Sequence, residues 1–188
     1  MNKISLYCDM RHSPGILLPV VLLFKSFCMN PHYYNVDISW NQERKGIMCS
    51  PELKVPATGT NGCIEVATPP QFPKGIPGIW SPEHLFTAAV SSCLMTTFLA
   101  IAENSKLEFL SFYCRSKGKL EKVEGKLLMT EIILEPRVVI QNEKDKERAE
   151  RVLQKSEAAC LISNSIKSKV IMNPVIEVVV TEATADTN

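Results

Sequence analysis

Cys93 and Cys160 are the residues of this chain best placed to do chemistry. Cys93 lies in Ser81-Pro82-Glu83-His84-Leu85-Phe86-Thr87-Ala88-Ala89-Val90-Ser91-Ser92-Cys93, and Cys160 in Ser156-Glu157-Ala158-Ala159-Cys160-Leu161-Ile162-Ser163-Asn164-Ser165. Helical spacing places each on an apolar face. Two inward thiols 67 residues apart are either core filler or a nucleophile with the thiol that resolves it. Cysteine is often buried, so core filler is the default. A reactive thiol needs a depressed pKa, and hence a cation close by. Arg44, in a polar turn, is the candidate cation, although alone it reads as a solvated turn arginine. Glu83 opens a helix, where an acid normally serves the positive helix end. His84 is nine residues from Cys93, too far along one helix to pair with it, and reads as surface or interface.

The elements that position these residues can be read in outline. Tyr34, Val36, Ile38 and Trp40 alternate with polar residues, as in a half-buried strand. Asn41 to Gly46 forms a turn, and Ile47 to Val55 returns as a second strand, broken near Ser50-Pro51. Ile64 to Ala67 is a short third strand. The loop Thr68 to Trp80 is punctuated by Pro69, Pro70, Pro73, Gly75, Pro77 and Gly78. Ser81 then caps a helix, with Pro82 at its first position and Glu83 beside its positive end. From His84 to Ala102 there is no Asp, Glu, Lys or Arg. Its five Ser and Thr residues argue for a buried central helix over a membrane span. Phe109 to Leu120 and Lys126 to Ile140 read as strands, with Pro136 marking an edge or bulge in the second. Asn142 caps a helix running from Glu143 to about Ile162, and Val175 to Val180 is a last strand. The order is that of an α+β domain.

Composition narrows the function classes. Apolar residues make up 45% of the 188 residues and charged residues 22%, with a net charge of +1. That balance suits a soluble globular protein without a nucleic-acid or membrane-surface partner. The seven cysteines show no Cys-x-x-Cys and no short Cys/His spacing, so no metal site is expected. Their odd number argues against a secreted disulfide framework, and a cytoplasmic location is expected. Residues 1–28 combine a few basic residues with the apolar run Ile16 to Phe24, which is too short to span a bilayer and lacks a signal-peptidase site. They are read as a poorly ordered extension, residues 29–182 as one domain, and residues 183–188 as a tail.

The run from Ser81 to Cys93 resembles the first motif of the OsmC/Ohr family, the osmotically inducible and organic hydroperoxide resistance proteins, in which a glutamate stands ten residues before the reactive cysteine. Cys160-Leu161-Ile162-Ser163-Asn164-Ser165 resembles the second motif, and Trp40-x-x-x-Arg44-x-Gly46 the N-terminal piece. The chain looks closer to the OsmC-like branch than to the dedicated organic hydroperoxide reductases. It departs from many members in having Leu161, not proline, after the second cysteine. The resemblance implies an antiparallel sheet around a long buried central helix, in an intertwined homodimer. It implies a thiol-dependent peroxidase in oxidative-stress defence, acting on organic hydroperoxides and secondarily on hydrogen peroxide. Cys93 would attack and become a sulfenic acid, and Cys160 would resolve it to an intrasubunit disulfide. Arg44 would hold the Cys93 thiolate and orient the peroxide, and Glu83 would pin the guanidinium. No cofactor is implied, only an external dithiol reductant. The alternative is a non-catalytic dimer binding a small apolar ligand at its interface. Ten residues of helix span about 15 Å. Glu83 therefore cannot reach its own Cys93, and any service to a Cys93 site must come from a partner chain.

Overall fold

In the computed structural model, residues 31–53 and 62–179 are described. The extension expected at 1–28 and the tail at 183–188 lie outside them. The chain divides into two units, Met1–Tyr34 and Asn35–Asn188, and the elements below belong to the second.

Three short strands form an antiparallel sheet in the order β1 (Asp37–Gln42), β2 (Lys45–Cys49) and β3 (Cys63–Ala67). β2 stops at Cys49, earlier than expected, because Ser50 and Pro51 turn the chain. The Cys49–Cys63 pair faces directly across β2 and β3 and is joined by a disulfide. The cysteine gaps gave no hint of this bond, since only the register brings the two together. The loop after β3 is tied back at both ends: Thr68 N–H donates to the Arg44 carbonyl (3.1 Å) and Ala67 N–H to the Trp80 carbonyl (2.8 Å). The start of the next helix is thereby fixed beside the β1–β2 turn.

That helix, α1 (Pro82–Asn104), begins as expected at Ser81, whose hydroxyl accepts from His84 N–H while the His84 ring bonds back to Ser81. α1 is long and apolar enough to cross a membrane by length and composition alone. In this fold it packs on the second sheet through one stripe, Val90, Leu94, Phe98 and Ala102, spaced four residues apart. The expectation of an all-round buried helix therefore fails within one chain. Met95 and Leu99 remain 39% and 43% exposed on the opposite, uncharged face.

The second sheet is built on a long hairpin, β4 (Ser111–Val123) and β5 (Lys126–Ile140). Beyond β5 lie β6 (Lys169–Met172) and β7 (Val175–Val178), both parallel to it, so the sheet is mixed and not purely antiparallel. β5 is central, and Pro136 is not at an edge. It falls between the residues that pair with β6, which end at Leu134, and those that pair with β7, which begin at Arg137. Along β5, Ile132, Leu134, Val138 and Ile140 are all fully buried on one face, the period-2 pattern of a strand under a helix.

The charged segment after β5 is not one helix. A 3-10 turn (Glu143–Asp145) leads into α2 (Lys146–Ala158), the chain breaks at Ala159 and Cys160, and α3 (Leu161–Ser165) follows. α2 buries Ala149, Val152, Leu153 and Ser156, the i, i+3, i+4, i+7 face, and the first three share one core with Phe98, Ala102, Val138 and Ile140.

Candidate functional site

Cys93 sits one residue before Leu94 of the buried stripe, so its side chain leaves α1 at the rim of the core. It is half-buried and faces the start of α3. Cys160 is fully buried. The expectation that it points inward holds, but not as a helical residue: it is extended, with φ −65° and ψ 111°, and forms the N-cap of α3. Asn164 fixes it there. The Asn164 side-chain amide donates to the Ala158 carbonyl (3.0 Å) at the end of α2, while its backbone N–H donates to the Cys160 carbonyl (3.0 Å). The Ser-Asn-Ser run thus clamps the break in which Cys160 lies.

The two thiols influence each other's acidity, and their environments push their pKa values in opposite directions. Burial pushes the Cys93 thiol up, but donors around the sulfur outweigh it. These are the Cys160 S–H, the Ile162 N–H at 3.4 Å, the Thr97 hydroxyl and the Leu161 N–H. The net result is a Cys93 thiol below its ordinary value. For Cys160, burial and the neighbouring Cys93 both raise the pKa, only partly offset by Ser163. Of the two thiols, Cys93 is the more readily ionised and Cys160 the less.

Arg44 and Glu83 lie together elsewhere in the chain. Arg44 is exposed in the two-residue turn after β1, where Glu43 has a positive φ of 48° and its carbonyl accepts the Trp40 indole N–H (3.2 Å). With Ile38, Trp40, Phe72 and Pro82, Arg44 and Glu83 line a mostly apolar cavity of about 550 Å³. One Glu83 carboxylate oxygen, Oε2, is buried there without a hydrogen-bond partner among the described residues. Neither Cys93 nor Cys160 lines this cavity. One chain therefore assembles two half-sites, a thiol pair and an Arg44/Glu83 cavity, and does not unite them.

Sequence reasoning missed Thr97 and the amides of Leu161 and Ile162. Thr97 stands four residues after Cys93, one helical turn away, and that spacing was visible. The amides became legible only once the helix was seen to break at Cys160. Among the described residues no three His, Cys, Asp or Glu side chains converge as metal ligands would.

A family model described as OsmC-like protein matches residues 75–174, a span that includes α1, the second sheet as far as β6, and both thiols. The uncharacterized protein YmaD of Bacillus subtilis is 24% identical over 148 residues, 76% of this chain and 91% of that protein. An OsmC-like protein of unknown function from Vibrio cholerae shares the fold with a TM-score of 0.67 at 22% identity, over 77% of this chain and 100% of that one. An organic hydroperoxide resistance protein, OsmC, from Legionella pneumophila matches with a TM-score of 0.60 at 19% identity, over 80% of this chain and 100% of that one. The resemblance read from the three motifs thus meets a matching fold and a family model spanning more than half the sequence, and the chain belongs to the OsmC-like family of the OsmC/Ohr group.

Proposed function

We propose that this protein is a cysteine-based hydroperoxide reductase working through Cys93 and Cys160. The observation that carries the reading is the thiol pair: Cys93 faces the turn that holds Cys160, its sulfur accepting from Ile162 N–H, with its pKa lowered and that of Cys160 raised. Relatives of the same fold named as organic hydroperoxide resistance proteins support it.

The cycle follows from that asymmetry. The Cys93 thiolate attacks the outer oxygen of a hydroperoxide ROOH. A sulfur–oxygen bond forms, the O–O bond breaks, and the departing alkoxide takes up a proton to leave as ROH. Cys93 is then a sulfenic acid. Its negative charge, which had held Cys160 protonated, is gone, so the Cys160 thiol ionises more readily at that moment. Cys160 sulfur attacks Cys93 sulfur, water leaves, and a disulfide remains. An external dithiol restores both thiols by exchange and is itself oxidised to a disulfide.

Arg44 and Glu83 enter from a second copy of the chain. The charge-free outer face of α1, with Met95 and Leu99, lacks cover in one chain. So does the two-stranded end of the β4–β5 hairpin, where Leu120, Val123, Leu127 and Leu128 are exposed. An isologous homodimer with α1 against its partner covers these faces and brings one chain's cavity to the other's thiols. There the Arg44 guanidinium orients the peroxide, and the unpaired Glu83 oxygen receives and pins Arg44. A cytoplasmic setting, with reductant at hand, suits such a cycle.

The apolar cavity beside Arg44 also suits a second reading, a dimer that binds a small apolar ligand without turnover. Intact-mass analysis after one equivalent of an alkyl hydroperoxide separates the two. Loss of two hydrogens, abolished in Cys93→Ser and replaced by gain of one oxygen in Cys160→Ser, is the peroxidase result. Equal peroxide consumption by wild type and Cys93→Ser leaves only the binding reading.

A further inference from the structure

The Cys49–Cys63 bond stands apart from the thiol pair and takes no part in the peroxide cycle. Its place in the first sheet ties it to the Arg44 cavity. All three strands of that sheet wall the cavity: Ile38 and Trp40 from β1, Gly46 from β2, Val66 and Ala67 from β3. The sheet is held unevenly. At the Arg44 end of the β2–β3 ladder, Gly46 and its register partner Val66 are buried, Ala67 is buried beside them, and Lys45 pairs with Glu65 (2.7 Å). At the other end, Met48, Cys49, Cys63 and Ile64 are all incompletely buried, and the disulfide is the covalent tie. β1 is an edge strand paired with β2, and all six of its residues are exposed. Its position therefore follows that of β2. Ile38 pairs with Met48, the residue before Cys49, and Asp37 pairs with Cys49 itself. The bond thus stands one residue, about 3.3 Å of strand, from the register pair that sets the Ile38 wall.

We propose that the Cys49–Cys63 bond is a redox latch on the Arg44 cavity. Closed, it holds the outer end of β2 against β3, and β1 keeps Ile38 and Trp40 in register as a wall. Opened, it releases the end of the sheet that burial holds least, and β1 loosens with it. The chemistry is thiol–disulfide exchange with a dithiol. One thiolate of the dithiol attacks a sulfur of the bond, the S–S bond breaks, and a mixed disulfide forms. The second thiolate then displaces the remaining cysteine sulfur. The dithiol leaves as a disulfide, having given two electrons, and its two protons end on Cys49 and Cys63. The dithiol that restores Cys93 and Cys160 is of the same class, so excess reductant slackens the peroxide site it supplies. The inference rests on the cavity being a ligand site, which the peroxidase and binding readings share, and not on turnover.

The test uses the full chain carrying Cys93→Ser, so that no second disulfide forms at the thiol pair. The probe is 2-phenylpropan-2-ol, an apolar alcohol of the kind an aryl hydroperoxide leaves. Binding is read by NMR from the Trp40 indole N–H, told from that of Trp80 by Trp40→Phe. Peptide mass spectrometry scores the Cys49–Cys63 bond before and after dithiothreitol. With the bond closed, the indole resonance should move saturably with the alcohol. With it open, the dissociation constant should rise roughly tenfold, as the fraction of chains with a formed wall falls by the same factor. Cys49→Ser/Cys63→Ser should bind as the reduced chain does, with or without dithiothreitol. Equal affinities in the two states, an indole resonance indifferent to the alcohol in both, or a bond that dithiothreitol does not open in the folded chain overturns the latch. The reductant acts on the native pair, so the result stands even where the double serine variant does not fold. Hydroperoxide consumption is measured on wild type. None, with the affinity shift present, sinks the peroxidase reading and leaves the latch standing; turnover without an affinity shift sinks the latch and leaves the peroxidase reading.

Discussion

Shortening Met95 and Leu99 together should convert the protein from dimer to monomer and abolish turnover without unfolding it. Full burial of a leucine or methionine side chain is worth about 1.5–3 kcal/mol. Leu99 is still 43% exposed and Met95 39%, so each retains roughly 0.6–1.3 kcal/mol of burial that the single chain does not use. Two side chains from each of two copies give about 2.5–5 kcal/mol, or roughly two to nearly four orders of magnitude in the dimer constant. Met95→Ala/Leu99→Ala leaves the buried stripe of Val90, Leu94, Phe98 and Ala102 intact, so the monomer should keep its circular dichroism spectrum. Sedimentation velocity over a concentration series gives the constant, and peroxide consumption is read over the same series. If the proposed dimer is right, activity should fall in step with the dimer fraction, because Arg44 and Glu83 would reach Cys93 only across the interface. An unchanged dimer constant would show that this face of α1 is not the contact. Monomers with undiminished turnover would refute the argument that the half-sites join between chains.

Other outcomes follow from single features. Arg44→Ala should slow peroxide consumption and raise the Cys93 midpoint, and a titration with rate and midpoint both unchanged removes Arg44 from the site. Cys93 alkylation should rise with pH through a midpoint below that of a free cysteine, with Cys160 reacting only at higher pH. The sign follows from the lowered Cys93 value: its charged form favours the fold above the ordinary thiol pKa, and that contribution is lost as pH falls through the folded midpoint. Alkylation of both thiols with one midpoint would contradict the asymmetry. Cys49→Ala/Cys63→Ala should lower unfolding stability by about 3 kcal/mol, the loop-closure value for a separation of 14 residues, with faster amide exchange in β1 to β3. Identical denaturant midpoints would show that the bond does not constrain the sheet.

The central scaffold was legible because local chemistry and tertiary packing agree there. Ser81, Pro82 and Glu83 mark a helix start by capping chemistry alone, and the alternation around Trp40 marks β1, although Ile38 and Trp40 are exposed in the single chain and not half-buried as expected. Reading failed where a tertiary contact decides. Nothing local separates Ala159 from the helix before it. The break at Cys160 is held by Asn164, which bonds to both sides of it. Pro136 suggested an edge because proline lacks an N–H, yet it lies in the central strand, in the gap between two parallel partners that meet only in three dimensions. The Cys49–Cys63 bond likewise depends on a register that no spacing rule contains.

The candidate site shows the same division, and it explains why a helix apolar on every side is tolerated here. The thiols are set by elements of one chain, α1 and the clamped turn before α3, and their unequal acidity is built in before any partner arrives. The Glu83 carboxylate is the reverse case: one oxygen is buried and unsatisfied among the described residues, a cost that a single folded chain has no reason to carry. An uncovered apolar face and an unsatisfied acid on the same helix, the acid about 15 Å along it from Cys93, would both be relieved by one event in the proposed dimer, the packing of a second α1 in opposite sense. Reactivity toward peroxide would then be switched on by assembly, while the lowered Cys93 pKa is set within each chain.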